Sequence, residues 1–333
     1  MKHQKILDDM FESMEKKANS ENSRRTYLGM SSFGGFCERK QWLDFRHAFD
    51  PFIGYSSSSH FSDGHHVEAL LIDRLMESGL DLKPVADDGS QFGFSDMTWL
   101  KGHSDGECTI DGDRYVWEAK STDGEKQNKL RRLIVKDEHA ALEKWSYQYF
   151  CQAQLYMGYS GIDKHILMAA AHGGRERINS KGDFRTVICE TLFDSEVFES
   201  LRDKAKHIIT TDKMPQAAWS LAVDKPLCIW KNGKCEAYDF CKGKEIGKPN
   251  CRNCGHVTFT TEGATCALGK EDLNEKNMLE FKECHKYNPE LVHEFFVVDL
   301  DDAGDVHYRN ESGTELVNRN SNDFRLEFNK LGG

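Results

Sequence analysis

The sequence predicts an α/β protein in which a mixed central sheet is flanked by helices, with a helical region before the sheet and a small cysteine-rich metal-binding module after it. Three observations support this fold class. Apolar residues recur with helical spacing between residues 67 and 75. Two strand-like segments enclose a turn at 111–113. Seven of the eleven cysteines fall between Cys228 and Cys284.

The expected elements follow one another along the chain. Residues 1–80 are predicted to be helical, and a mixed sheet is predicted over 90–122. The segments that follow show helix and strand patterns in turn, with a helix over 145–159, strands over 165–171 and 185–192, and a helix over 194–209.

The last third of the chain has a different composition. The cysteine-rich part begins near Pro226, and residues 242–249 resemble a linker because they contain two glycines and a proline. A small β-meander is expected over 293–326, with a loosely ordered tail after Arg319. We therefore expect three parts, namely a core, a metal-binding module and a small β-rich tail, at 1–245, 246–290 and 291–333.

The predicted hairpin collects charged groups on one face. Asp105 and Glu118 are thirteen residues apart with the turn between them, so they fall on adjacent strands. Glu118 and Lys120 are two residues apart, which sends both side chains to the same face. Carboxylate oxygens suit Mg²⁺, and a nearby lysine can orient an attacking water and offset phosphate charge. The pattern predicts a metal-dependent centre for phosphodiester hydrolysis, with an ordinary exposed strand pair as the alternative.

Two helical segments extend this pattern. Glu68, four residues after Gly64, is placed at the start of the first helix, and Gln152 and Tyr156 share a face of the second. Both could be ordinary core helices. The order G-x-x-x-E, G-H-x-D-G, E-x-K, Q-x-x-x-Y resembles the PD-(D/E)xK nuclease superfamily, in its RecB-like, phage-type exonuclease branch.

The resemblance implies a restriction-endonuclease-like core and a role for each matching residue. Glu68, Asp105 and Glu118 would bind Mg²⁺ or Mn²⁺, and Lys120 would be the catalytic lysine. Gln152 and Tyr156 would lie on the helix beside the active site and help to place the DNA and the lysine. The RecB group usually has histidine at the position of Glu68, so the adjacent histidines are alternative ligands, namely His65 and His66.

One set of cysteines has the spacing of a structural zinc site. Cys251 and Cys254 form a C-x2-C knuckle, and Cys266 and Cys284 follow. Four thiolates so spaced can close on one tetrahedral Zn²⁺. The segment resembles a cysteine-rich module of phage-encoded RecB-like nucleases. Two histidines beside these cysteines are alternative ligands, namely His256 and His285.

A second set joins the early Cys37 to Cys228, Cys235 and Cys241. Its arrangement resembles the iron-sulfur RecB-like nucleases, including CRISPR-associated exonucleases, and that resemblance implies a [4Fe-4S] cluster held by these four thiolates. The spacing departs from the family's C-x2-C-x5-C, because six residues separate Cys228 from Cys235. Zn²⁺, free thiols and a buried apolar role for Cys37 remain alternatives.

Charge and compartment limit the possible partners. The net charge of −11 disfavours a polyanion partner, but basic residues are concentrated at 24–25, 126–136 and 225–252, either as nucleic-acid contacts or as solvated faces. The N-terminus lacks an apolar leader and no run approaches a membrane span, so we expect a cytoplasmic protein, in a bacterial host if phage-encoded, without a membrane partner.

The function expected from these features is that of a divalent-metal-dependent deoxyribonuclease, an exonuclease acting on single-stranded DNA or duplex ends in phage recombination, repair or processing. A helicase or a single-strand-binding protein is the expected partner class. Two alternatives remain, which are a non-catalytic DNA-binding scaffold and a metal-cluster regulatory protein that binds a protein partner. The sequence leaves cleavage polarity and oligomeric state open.

Overall fold

The protein forms a mixed α/β structure, as the sequence predicts. The computed structural model describes residues 4–21, 25–51, 54–171, 186–218, 228–230, 233–269, 273–275, 277–292 and 295–331. Its helices are α1 (Gln4–Glu21), α2 (Glu38–Arg46), α3 (Tyr55–Glu77), α4 (Gly124–Lys136), α5 (Ala141–Trp145), α6 (Tyr147–Ser160), α7 (Ser195–Thr210), α8 (Tyr238–Cys241) and α9 (Ser321–Leu331).

The strands of the first two thirds of the chain are β1 (Leu28–Gly29), β2 (Asp81–Lys83), β3 (Phe92–Ser95), β4 (Leu100–Ser104), β5 (Gly106–Ile110), β6 (Asp113–Thr122), β7 (Lys164–Ala171) and β8 (Val187–Leu192). The later strands are β9 (Ile229–Trp230), β10 (Gly233–Lys234), β11 (Val257–Phe259), β12 (Ala264–Cys266), β13 (Phe295–Leu300), β14 (Val306–Asn310) and β15 (Glu315–Asn318).

The central sheet has five strands in the order β2-β5-β6-β7-β8. Only β6 and β7 run parallel, because the long connection through α4, α5 and α6 returns the chain to the same end of the sheet. The sheet is therefore mixed and carries helices on both faces.

The alternation of β6 divides the core into two layers. Trp117 and Ala119 pack in a cluster with Val67 and Leu71 of α3. Val116, on the opposite face, belongs to the larger cluster that includes residues of α4 and α6. The polar members of this second face, Glu118 and Lys120, are thus directed to the α6 side of the sheet.

A second sheet of three strands, ordered β1-β4-β3, lies beside the first. Strand β4 ends at Ser104 and β5 begins at Gly106, so the chain passes from one sheet to the other at Asp105. Glycine is needed at 106 because a Cβ there would lie 2.7 Å from the Lys83 carbonyl oxygen. The close approach of β2 fixes the point at which the sheets meet.

Two predicted boundaries are wrong. Helix α3 begins at Tyr55, so Glu68 lies well inside it rather than at its start, and Gly64 is accommodated within the helix. The segment after Arg319 is the ordered helix α9, whose Phe324 and Phe328 are buried against the meander β13–β15. The strands predicted over 165–171 and 185–192 and the helices over 145–159 and 194–209 are confirmed within a few residues.

The cysteine-rich segment packs directly on the N-terminal helices. The buried Arg252 donates from Nε to the Phe45 carbonyl, 2.7 Å away, and from Nη1 to the Thr26 carbonyl, 2.9 Å away. Its guanidinium also lies 4.5 Å from the centre of the Phe45 ring and 5.2 Å from that of Trp99. The two hydrogen bonds join residues more than 200 positions apart in the chain.

Candidate active site

The β5–β6 hairpin brings Asp105 and Glu118 together. Gly106 pairs with Trp117, so the acids occupy the next pair of positions along the two strands. The backbone N–H of Ala119 donates to Asp105 Oδ2 at 2.9 Å and holds that carboxylate against β6. Lys120 Nζ donates to Glu118 Oε1, as their shared face predicts. Two carboxylates and one ammonium therefore occupy one end of the hairpin.

Helix α6 covers this group with two polar side chains. Gln152 Nε2 donates to Glu118 Oε1 at 2.9 Å and to the Tyr156 hydroxyl at 3.1 Å. All three side chains are buried. The i,i+4 spacing on α6 thus orients Glu118 through a short chain of hydrogen bonds.

Glu68 approaches from α3, on the other side of the hairpin. Burial raises its pKa, the neighbouring Asp105 carboxylate raises it further, and His65 and Lys120 act in the opposite direction. His65 is largely exposed and its Nδ1 lies 3.9 Å from Glu68 Oε2, while His66 is exposed. Glu68, rather than either histidine, is the side chain that interacts with Asp105 and Lys120.

The site concentrates negative charge in a buried environment. Burial raises the pKa of Glu118 well above its usual range, Lys120 opposes this shift, and Asp105 and Glu68 reinforce it. Burial lowers the pKa of Lys120, but the attraction of Glu118 and Asp105 outweighs it and raises the pKa overall. The lysine therefore stays protonated, and the carboxylates repel one another.

This arrangement suits a divalent cation. Glu118 Oε2 is buried and has no hydrogen-bond partner among the described residues. A hard cation accepts such a carboxylate oxygen and relieves the repulsion between neighbouring acids. As the described side chains stand, no group of three or more histidines, cysteines, aspartates or glutamates is arranged to hold a metal ion, and Glu118 is paired with Lys120.

Both cysteine sets are brought together in space. The thiols of Cys254, Cys266 and Cys284 each raise the pKa of Cys251, after the larger effect of burial. Cys266 is the last residue of β12 and pairs with Val257 of β11. Val257 in turn lies three residues after Cys254. Cys254, Cys266 and Cys284 thus lie near enough to influence the Cys251 thiol, although no group of three or more such side chains among the described residues is arranged to hold a metal ion.

The second set converges from the two ends of the core. Cys37 directly precedes α2, and Cys228 and Cys235 are joined by a backbone hydrogen bond of 2.8 Å from the Cys235 N–H to the Cys228 carbonyl. Burial raises the pKa of Cys241 to about 11, Arg39 lowers it, and Cys235, Cys37 and Cys228 contribute to the rise. Cys37, Cys228 and Cys235 thus lie near enough to affect the Cys241 thiol, but no group of three or more such side chains among the described residues is arranged to hold a metal, so the iron-sulfur assignment stays a prediction.

The two histidines beside Cys254 and Cys284 differ in their surroundings. His285 is buried, and its Nδ1 and Nε2 are both occupied, by Ser321 Oγ and by Asn253 Oδ1, each at 2.8 Å. A ring with both nitrogens in hydrogen bonds has no lone pair for a metal as it stands. His256 is half-buried; burial raises the pKa of Cys254, and the His256 backbone N–H acts in the opposite direction.

His165 is a buried polar residue that sequence reasoning missed. It lies on β7 opposite Val116 of β6 and Thr191 of β8, on the same sheet face as Glu118. Burial, helped by the positive charge of Lys120, lowers its pKa to about 3. The ring is therefore neutral at physiological pH. A lone histidine at the start of an apolar strand gave no sequence signal for this environment.

We expect His165 to make the protein less stable in acid. The neutral ring is favoured in the folded state, so its contribution is fully present above the unfolded-state pKa of about 6.5 and is lost as the pH falls toward 3. Between pH 7.5 and 5 the loss should be about 2 kcal/mol. Urea unfolding of the wild type and of His165→Gln should show a pH dependence that is weaker in the variant. Parallel curves for the two proteins would contradict this account.

No family model matches this sequence, and no curated protein matches it significantly. Among solved structures, the chain is similar to the alkaline exonuclease LHK-Exo from Laribacter hongkongensis, solved in complex with dAMP. The two chains are 11% identical, the match covers 56% of this chain and 87% of that chain, and the TM-score is 0.38. It is also similar to a phage-related exonuclease from Haemophilus somnus 129PT, with 12% identity, coverage of 45% and 68%, and a TM-score of 0.32. These two solved structures are of exonucleases.

A helix that crosses a membrane must be both long and apolar. Within the described part of the chain, no helix is both long and apolar enough to cross a bilayer.

Proposed function

We propose that this protein is a divalent-metal-dependent deoxyribonuclease that hydrolyses phosphodiester bonds, as an exonuclease. The observation that supports this most is the convergence of Asp105, Glu118 and Lys120 at one end of the hairpin, beside Glu68. A binding scaffold has no need for a buried glutamate paired with a lysine beside a second, half-buried carboxylate, because burying such charges costs folding free energy.

The contacts of each residue in the site indicate its role in the proposed reaction. Lys120 presents a protonated ammonium that can offset charge developing on a phosphate oxygen. Gln152 and Tyr156 fix the direction of Glu118 through their hydrogen bonds, and the Ala119 N–H holds one oxygen of Asp105. The remaining carboxylate oxygens of Asp105, Glu118 and Glu68 are the ligands proposed for Mg²⁺ or Mn²⁺. When bound, the ion lowers the pKa of a coordinated water and polarises the phosphate.

We further propose that Cys251, Cys254, Cys266 and Cys284 hold a structural Zn²⁺, and that the set containing Cys37 holds a [4Fe-4S] cluster. Mutual proximity of the thiols supports both assignments. Metal analysis of protein purified without oxygen should find zinc and iron, and the iron should be lost in Cys37→Ser. Zinc without iron would remove the cluster assignment and leave the nuclease assignment intact.

Degradation of end-labelled DNA tests the proposed activity directly. Linear single-stranded and double-stranded substrates are incubated with Mg²⁺ or Mn²⁺, and closed circular DNA is included to separate exonuclease from endonuclease action. Product ladders give the polarity. Absence of cleavage on every substrate would exclude the nuclease and favour the DNA-binding scaffold, whereas a metal-cluster regulator would bind no DNA at all.

A further inference from the structure

Helix α4 has an exposed basic face. Its sequence contains five basic residues and one acid, Glu125. Lys129, Arg132 and Lys136 follow one another at spacings of three and four residues, so they share one side of the helix, and all three are exposed. Leu130 and Gln127, on the other side, are buried. We call Lys129, Arg132 and Lys136 the α4 stripe.

The α4 stripe is attached rigidly to the strand that carries the site. Helix α4 begins at Gly124, four residues after Lys120, and the Asp123 side chain caps it by accepting from the Lys126 N–H at 2.8 Å. The buried Gln127 donates to the Ala169 carbonyl on β7 at 3.1 Å. The helix therefore cannot move independently of the sheet without breaking buried hydrogen bonds.

Aromatic contacts connect the first turn of α4 to the catalytic lysine. Trp145 Nε1 donates to the Lys126 carbonyl at 3.0 Å, and the Trp145 ring lies 5.7 Å from that of Tyr149. The Tyr149 ring centre is in turn 5.4 Å from Lys120 Nζ. The end of α4 from which the stripe extends is thus separated from Lys120 by two side chains.

The charges of the α4 stripe have no ion-pair partner in the part of the chain that the structure describes. Among the described residues, none of its three members forms an ion pair, whereas nearby Lys126 pairs with Asp123 at 3.6 Å. Like charges at these helical spacings repel one another. In a chain of net charge −11, acids to neutralise them are plentiful. Three unpaired cations kept side by side are therefore the arrangement expected of a surface that receives an anion from outside.

The other basic stretches of the sequence are weaker candidates. Arg252 is buried and engaged with backbone carbonyls, and Lys234 pairs with Asp239. Residues 24, 225 and 231 lie outside the described residues. Of the three basic stretches, the one on α4 combines exposure, unpaired charge and a physical connection to the site.

We infer that the α4 stripe binds the phosphate backbone of the nucleic-acid strand whose end enters the site, an inference that rests on the proposed nuclease function. From Lys129 to Lys136 the helix rises by about 10 Å. A nucleic-acid strand carries one phosphate per about 3.4 Å of duplex axis, so three side chains match about three phosphates. The contact is with the backbone, so it selects no sequence and lets the strand advance.

The test compares two triple variants that each remove three positive charges. Lys129→Gln, Arg132→Gln and Lys136→Gln together remove the α4 stripe. The matched control, Lys5→Gln, Lys206→Gln and Lys330→Gln, removes exposed lysines from α1, α7 and α9. Binding of short end-labelled single strands and duplexes is measured without added Mg²⁺ or Mn²⁺ over a range of salt concentrations, and thermal unfolding confirms that both variants are folded.

We expect the slope of log K against log salt to decrease by about 2 for single strands and about 3 for duplex in the α4 stripe variant. The control should keep the wild-type slope. Equal slopes in the two variants, or a wild type that does not bind, would overturn the inference. Because binding without added Mg²⁺ or Mn²⁺ does not require hydrolysis, a stripe-dependent slope without cleavage in the metal-containing assay would overturn the nuclease proposal alone. Cleavage with a stripe-independent slope would overturn this inference alone.

Discussion

Glu118→Gln should reduce metal-dependent hydrolysis of DNA by at least about a hundredfold, the effect typical of removing one charge-stabilising group from an active site. The amide keeps the size of the side chain but removes the negative charge proposed to hold the cation. It also leaves the Lys120 ammonium without its carboxylate partner. The rate of product release from end-labelled DNA at saturating Mg²⁺ is the measurement.

Glu107→Gln is the matched control for this variant. Glu107 lies on the adjacent strand β5 and pairs with Arg114 near the surface, 2.7 Å away, so its loss should leave hydrolysis unchanged. Thermal unfolding of both variants shows whether the fold persists. Wild-type hydrolysis by a folded Glu118→Gln protein would refute the assignment of the site.

Arg252→Met should reduce the free energy of unfolding by about 3–5 kcal/mol. The substitution leaves the Phe45 and Thr26 carbonyls without their donor and removes the guanidinium from between Phe45 and Trp99. Arg252→Lys should recover only part of the loss, because an ammonium cannot reproduce the forked geometry of the guanidinium. Chemical denaturation monitored by tryptophan fluorescence measures both.

Arg309→Met is the matched control for Arg252→Met. Arg309 is about half exposed and pairs with Glu315 at the surface, where an ion pair contributes less than about 1 kcal/mol. A similar loss of stability in the two methionine variants would show that Arg252 is no more than a surface cation in solution.

The hairpin and its charges were predictable because their pattern is local. Period-two alternation fixes the relation of Glu118 to Lys120, and a short turn fixes their relation to Asp105. The i,i+4 pair on α6 is equally local. Each of these relations depends on residues close in sequence, and the structure has them as expected.

The features that were missed depend on the rest of the fold. Residues 55–64 contain several serines and a glycine, which favour turns, yet this stretch is helical because its continuation packs under β6. The environment of His165 is formed by the neighbouring strands β6 and β8, and the sequence around the histidine does not predict that pairing. Helix α9 was predictable in part, because Phe324 and Phe328 are four residues apart, the spacing of one face of a helix.

The bond from Arg252 to the Phe45 carbonyl has a consequence for the order in which the chain folds during synthesis. The two residues are 207 positions apart. At a translation rate of about 5–20 residues per second, α2 emerges at least about 10 s before the residue that completes its surroundings. The part of α2 that Arg252 later contacts therefore stays uncovered on the nascent chain for that time and is accessible to chaperones.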